Sequence, residues 1–164
     1  MQNKCNLDYI NETKIVLRRF PKLFAKIVQY AFKNVLNIDE NVYLSVSIVS
    51  KETIHQLNND YRGVDRPTDV LSFPYSEVDE LYRKGNEDET IVLGDIFICY
   101  DIALEQSLEL EHGVIYEISF LFTHGLLHLC HINHDTDEEN AIMERKLNEI
   151  LTQKGKEDPW EIRN

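Results

Sequence analysis

The chain of 164 residues predicts an α/β or α+β domain, a small mixed β-sheet of about four strands packed against about five helices. Three observations carry that expectation. Val42 to Val49 alternates apolar residues with Ser45 and Ser47, the period of a strand; Phe20, Leu23, Phe24, Ile27, Val28 and Ala31 recur at the spacing of one helix face; and Val114 to Cys130 is apolar almost all round, as a helix buried on every side must be.

The elements follow in order. Ile15 to Leu17 reads as a short first strand, and the helix after it has Pro21 in its first turn, where the missing N–H is harmless. Ser50 is placed to cap a helix ending near Asn59, and Asp69 to Phe73 reads as a strand closed by Pro74. The acidic stretch from Ser76 to Glu89 reads as a loop. Ile91 to Tyr100 follows as a strand in which Gly94 would let a neighbour approach closely. Asp101 can cap a helix to about His112, broken by Gly113, and Thr136 to Glu139 has the form of a capping box opening a last helix to about Leu151. Residues 1–151 are therefore expected to form one domain. The tail 152–164, with Gly155, Pro159 and Trp160, is expected to be poorly ordered.

Composition narrows the class. With 43% hydrophobic and 28% charged residues the chain has enough apolar matter for a soluble core, so global disorder is excluded. Cys5, Cys99 and Cys130 are odd in number and contain no C-x-x-C pair, which fits reduced thiols and a cytoplasmic location. No basic-then-apolar leader opens the sequence and no apolar run is long enough for a bilayer, so no membrane partner is expected. The net charge of −12 points away from nucleic acid, but its distribution does not. Lys14 to Ile38 holds six basic residues and no acidic one, so a basic face bearing Arg18, Arg19, Lys22 and Lys26 could follow a phosphate backbone.

The chemistry concentrates in His124-Gly125-Leu126-Leu127-His128-Leu129-Cys130-His131-Ile132-Asn133-His134, which contains four of the six histidines. On a helix, residues four apart share a face about 6 Å apart along the axis, so His124 and His128 can aim at one ion. Continued helix would carry His134 roughly 240° round from His128, so the chain must fold back for it to join them. Asn133 tolerates positive φ and is the residue expected to make that reversal. His131 competes as third ligand, since it would share the face of His124 if the helix ran on. A ligand returning from beyond the turn gives better tetrahedral angles, which favours His134 and leaves His131 at the rim or as a donor to a ligand. Three neutral imidazoles without a fourth protein ligand describe a catalytic zinc site with one open position. A lone buried histidine is usually only a satisfied core residue, but several in one place without partners would each cost about 1–3 kcal/mol.

A second constellation lies in LNNDYRGVDRPTDVLSFP, from Leu57 to Pro74. Its polar groups, Tyr61, Arg62, Asp65, Arg66, Thr68, Asp69 and Ser72, are dense enough beside a strand to wall a site, but Gly63 and Pro67 equally suit a turn, in which Asp65 and Asp69 could simply bond nearby backbone. Arg62 stands out because its guanidinium offers a planar fork to phosphate oxygens, and Arg66 adds a second cation beside it.

Together the two segments are similar to one known family. HGLLHLCHINH resembles the H-G-x-L-H-L-x-G-x-D-H signature of the YbeY family of bacterial endoribonucleases, also described as rRNA maturation factors, and LNNDYRGVDRPTDVLSFP resembles its other hallmark. Leu93-Gly94-Asp95-Ile96 looks like the family's following strand and Glu117 like its acidic residue ahead of the histidines, so the resemblance covers roughly Val42 to Leu151. Two positions depart: His131 stands at the signature glycine and Asn133 at the signature aspartate. The resemblance implies one zinc ion held by His124, His128 and His134, with Arg62 and His124 in catalytic roles. It further implies single-stranded RNA as substrate, with work on the 3′ end of small-subunit 16S rRNA and in ribosome quality control. A ribosomal particle or ribosomal protein is then the natural partner, and DNA is not expected.

Two rivals have other signatures. H-x3-H-x5-H is also the ligand spacing of a class of zinc peptidases, but these carry a general-base glutamate after the first histidine, where this chain has Gly125. A non-catalytic, zinc-stabilised ribosome-assembly factor would share every residue named above and would differ only in not cutting RNA.

Overall fold

The alternating segment forms a central strand. In the computed structural model, which describes residues 5–82 and 89–152, the strands are β1 (Cys5–Asn11), β2 (Asn41–Val49), β3 (Val70–Pro74) and β4 (Thr90–Cys99). Their order is β1-β2-β4-β3, with β1, β2 and β4 parallel and β3 antiparallel to β4 at the edge. The helices are α1 (Phe20–Tyr30, running on into a π-helical turn, Ala31–Leu36), α2 (Lys51–Arg62), α3 (Val78–Tyr82), α4 (Tyr100–Glu109), α5 (Val114–Leu129) and α6 (Asp137–Thr152). The mixed four-stranded α+β architecture is the one expected. Six helices appear rather than five because α3 forms within the acidic stretch read as a loop, where Leu81 finds a place in the core. Residues 83–88 of that stretch, and the tail from residue 153 with Trp160, lie outside the described residues.

Sheet alternation divides the apolar residues between two faces. Leu7 and Tyr9 of β1, Val42, Leu44, Val46 and Ile48 of β2, and Leu93, Ile96 and Ile98 of β4 turn to one face and meet α1, α5 and α6 in the main core. Phe24 of α1 stacks on Phe122 of α5 with ring centroids 4.1 Å apart, tying the crossover helix to the buried one. The opposite face carries a smaller cluster of Val49, Ile54, Leu71 and Cys99 beneath α2, and beyond it Ile10 and Val92 are exposed.

Several boundaries differ from the sequence reading for local reasons. The first strand is Cys5–Asn11 and not Ile15–Leu17. Asn11 ends it by bending the chain: its Oδ1 accepts from the Thr13 backbone N–H at 3.0 Å, and its Nδ2 donates to the Ile15 carbonyl at 2.7 Å. Ser50 caps α2 as expected, accepting from the Thr53 N–H at 3.2 Å, but the helix continues to Arg62 and stops at Gly63, whose φ of 68° lets the chain turn left-handed. Helix α4 has Cys99 at its cap rather than Asp101 and ends at Glu109, ahead of Gly113, which instead opens α5. Thr136 accepts from the Glu139 N–H at 3.1 Å at the start of α6, the cap foreseen there.

Gly94 permits the close approach expected of it. The bulge between β2 and β4 falls beside it, its φ is 140°, and a Cβ there would sit 2.0 Å from the Phe73 carbonyl oxygen. Gly94→Ala is therefore expected to lose on the order of 3 kcal/mol, because neither the backbone angle nor the neighbouring carbonyl can yield cheaply. Urea unfolding checks it, and a loss below about 0.5 kcal/mol would contradict this account.

Candidate metal centre

Helix α5 runs across β3 and β4 and is buried along most of its length, including the hydroxyls of Ser119 and Thr123. Those hydroxyls donate back to the carbonyls of Ile115 at 2.8 Å and Ser119 at 2.7 Å, so they need no outside partner. Near the start of the helix the buried Glu117 carboxylate lies 2.5 Å from His112 Nε2, joining α5 to the end of the loop after α4. Gly125 faces the sheet: a Cβ there would lie 3.1 Å from Ile96 Cγ2, so the position that carries a general base in zinc peptidases has no room here for a long side chain.

Only one stripe of the last two turns of α5 escapes full burial, and it carries His124 and His128, both half-buried. Their Nε2 atoms are 3.0 Å apart. His134 returns to them from beyond the helix end, with ring centroids 5.4 Å from His124 and 4.8 Å from His128. One ligand atom from each of the three lies within 4.8 Å of the others, the group among the described residues that could hold a metal ion. Nitrogen ligands on a tetrahedral zinc at about 2.05 Å are separated by about 3.3 Å, so small side-chain rotations bring this set onto one ion. The donor chemistry fits as well. Burial, then the neighbouring imidazoles and the charge of Arg62, push His128 down to about 4, while burial and His134 lower His124. Both rings are thus neutral at pH 7 with a lone pair to offer.

The return of the chain is made by His131 and not by Asn133. Cys130 closes α5, His131 adopts φ 64°, its N–H bonds the His128 carbonyl at 3.0 Å, and the Ile132 N–H reaches back to the Leu127 carbonyl at 2.9 Å. This pair of bonds fixes the left-handed residue immediately after the cap, two positions earlier than Asn133. A side chain other than glycine costs roughly 1 kcal/mol in that conformation. His131 offsets this by pointing away from the triad, its Nε2 2.6 Å from the Ser76 carbonyl oxygen, where it donates. Tyr82 adds a second tie, its hydroxyl donating to the Cys130 carbonyl at 2.8 Å. The segment after β3 is thereby fastened to the turn that aims His134.

The second constellation arrives from the opposite side of β3. Arg62 is exposed at the last turn of α2, near enough for its charge to act on His128, and Asp69 acts in the same way on His124. Asp69 is also held locally, as a turn residue would be: its carboxylate accepts from the Val70 N–H at 2.7 Å and from Gln106 at 3.3 Å. Asp65 bonds His55 at 2.7 Å rather than nearby backbone. Arg66 is exposed in the loop between them, and its carbonyl accepts from the buried Asn58 at 2.9 Å. Asp69 belongs to the polar run before β3 that the sequence offered as a site wall or a turn, whereas Asp135, bearing on His128, is a site neighbour that sequence reasoning missed. The basic face is elsewhere. Arg18, Arg19, Lys22 and Lys26 are exposed at and on α1, which packs on β1 at the far edge of the sheet from the histidines.

Fold and site together define an α+β domain with a three-imidazole centre, accessible from solvent at one sheet edge. The family model described as Endoribonuclease YbeY matches residues 6–155, and the chain belongs to that family. Curated relatives bearing that name include one from Bacillus pumilus, 40% identical over 151 residues (91% of this chain, 94% of the relative), and one from Geobacillus thermodenitrificans, 41% identical over 150 residues (91% and 96%). A third, from Thermoanaerobacter sp. strain X514, is 42% identical over 134 residues, covering 77% of this chain and 84% of the relative. Among solved structures, the solution structure of a Thermotoga maritima protein at 27% identity matches with a TM-score of 0.56, covering 93% of this chain and 97% of that one. No helix among the described residues is long and apolar enough to cross a membrane.

The fastening at His131 can be tested by its sign. Relief of backbone strain alone would make His131→Gly more stable than the parent by about 1 kcal/mol. The bond to Ser76 predicts instead that His131→Gly is no more stable than the parent and that His131→Ala, strained and unfastened, is less stable than both by about 1–2 kcal/mol. Denaturant melts of the three proteins decide between these orders.

Proposed function

We propose that the protein is a zinc-dependent endoribonuclease specific for single-stranded RNA, acting in the cytoplasm on the 3′ end of small-subunit 16S rRNA and in ribosome quality control. The observation that carries the reading is three convergent imidazoles, two of them held neutral by burial, within reach of the charge of Arg62 in a member of the Endoribonuclease YbeY family. His124, His128 and His134 would hold one ion. When bound, zinc supplies Lewis acidity toward a phosphoryl oxygen and lowers the pKa of water toward neutrality. Arg62 is placed to take the phosphodiester in its guanidinium fork and to stabilise the negative charge that grows on the non-bridging oxygens. The half-burial of His124 and His128 limits competing water around that charge, which strengthens each of these interactions. Asp69, acting on His124 through its charge, opposes the effect of burial on that ring.

Arg66, exposed in the loop after α2, would add a cation for the RNA, while Arg18, Arg19, Lys22 and Lys26 would offer a second contact for the RNA backbone or for a ribosomal particle or protein. The test is metal content measured alongside cleavage of single-stranded RNA. His134→Ala is expected to lose the ion and cleavage together; Arg62→Ala is expected to keep the ion and lose at least about 100-fold in cleavage rate. A purified parent protein that binds zinc and ribosomal particles without cutting RNA would replace this reading by that of a non-catalytic assembly factor. Ends carrying 2′,3′-cyclic phosphate would identify the substrate's own 2′-hydroxyl as the attacking group. Ends carrying 5′-phosphate and 3′-hydroxyl would identify water as the attacker.

A further inference from the structure

The face of the sheet under α2 carries a run of aromatic rings that the metal centre does not use. Tyr61, the residue before Arg62, is 70% exposed, and its ring meets Phe73 of β3 edge-on, centroids 5.4 Å apart at 61°. Phe73 in turn meets Phe97 of β4 at 5.9 Å and 71°. Beside them Tyr75 is 61% exposed and near enough to Tyr61 to interact with it electrostatically. Its hydroxyl donates to Asp95, whose other oxygen accepts from Ser45 at 2.5 Å. Two large rings are therefore left facing solvent while each is fixed by its own contact, Tyr61 by a half-buried aromatic ladder and Tyr75 by a hydrogen bond. Rings held in this way lose little entropy on binding a flat partner.

Their position relative to the metal centre gives them a purpose. Successive residues of a helix point about 100° apart, so where Arg62 acts on His128, Tyr61 is turned over the sheet. The two side chains leave one turn of α2 in adjacent directions, a cation toward the histidines and a ring toward the open face. A phosphodiester linkage presents the same pair of groups, an anion with a flat base next to it.

We propose that Tyr61, backed by Phe73 and Phe97 and flanked by Tyr75, is a base-stacking subsite for the nucleotide next to the phosphodiester held at Arg62. The proposal rests on the reading of the chain as a single-strand endoribonuclease and deepens it. Unpaired bases expose both faces and stack on aromatic rings with little regard to sequence, whereas bases in a duplex do not. The subsite therefore supplies a physical origin for single-strand preference. It also supplies affinity that is independent of charge in a protein whose net charge of −12 repels RNA.

The test uses the zinc-loaded full chain and a short, non-cleavable 2′-O-methyl phosphorothioate strand, with binding followed by fluorescence anisotropy across a salt series. Tyr61→Ala is expected to weaken binding by about 5- to 150-fold at every salt concentration, leaving the slope of log K against log salt unchanged. Arg62→Ala should reduce that slope by about 0.7. Tyr61→Trp and Tyr61→Phe should bind as the parent does. On a strand made wholly of abasic units the difference between parent and Tyr61→Ala should vanish. Parental affinity in Tyr61→Ala, or an equal loss on the abasic strand, would overturn the subsite and point to the face as a protein contact. Thermal melts identify a folding defect, and parental binding by Tyr61→Phe together with loss in Tyr61→Ala isolates the ring. Failure of the subsite is distinct from failure of the enzyme reading, since parent protein that binds by stacking but does not cut would overturn only the latter.

Discussion

The structure depends on the burial of α5. A helix apolar on almost every side has to be enclosed, and here β3 and β4 lie beneath it, α4 and α6 flank it, and Phe122 stacks on α1. Enclosure on this scale would strand polar groups unless each found a partner, and the way each does so differs along the helix. Ser119 and Thr123 return their hydroxyls to the helix backbone, and Glu117 takes His112. His124 and His128 are left on the one stripe that reaches solvent. The same packing that holds the helix rigid therefore lowers the proton affinity of its histidines. Rigidity and neutrality, the two properties a metal centre asks of its ligands, have one cause.

The third imidazole of the candidate centre is secured by different means. His134 lies beyond the helix, so its direction depends on the turn, and the turn depends on ties to a segment some fifty residues earlier: His131 to the Ser76 carbonyl and Tyr82 to the Cys130 carbonyl. Where glycine would have reached the left-handed conformation freely, histidine reaches it under strain and gains a hydrogen bond that glycine cannot make. The departure from the family signature is thus compensated by a contact available only to the longer side chain.

What could be read in advance follows from the range of the interactions involved. The pairing of His124 with His128, the Ser50 and Thr136 caps and the close approach at Gly94 are matters of local geometry, and local geometry is written in spacing and residue type. The left-handed position could not be found that way. Asn133 has the better intrinsic tolerance of positive φ, but the conformation belongs to whichever residue follows the helix cap, and packing of Leu129 and Ile132 decides where the helix ends. Strand β1 escaped for a similar reason. Its alternation of Cys5, Leu7 and Tyr9 with Asn6, Asp8 and Ile10 is weakly apolar, and it becomes a strand by pairing with β2, with Tyr43 donating to Asp8 at 2.9 Å across 35 residues of chain. Such partners are invisible to any window of neighbouring residues.

The placement of charge completes the picture. Basic residues near the N-terminus suggested a surface for RNA, and the contacts set α1 against β1 while α5, which carries His124 and His128, lies over β3 and β4 toward the other edge of the sheet. Two to three strand spacings put these supports about 10–14 Å apart before side chains are counted, a distance that a single extended strand of RNA covers within a few nucleotides and that no one phosphate can bridge. On the proposed reading, the two cationic regions therefore act on different parts of the RNA. On that reading Arg62, whose charge reaches His128, can take part in the chemistry, whereas α1 can contribute only attraction and orientation at a distance. In a chain so acidic overall, attraction to RNA must come from local cations against a repelling net charge, which on that reading biases the ligand toward a path joining them.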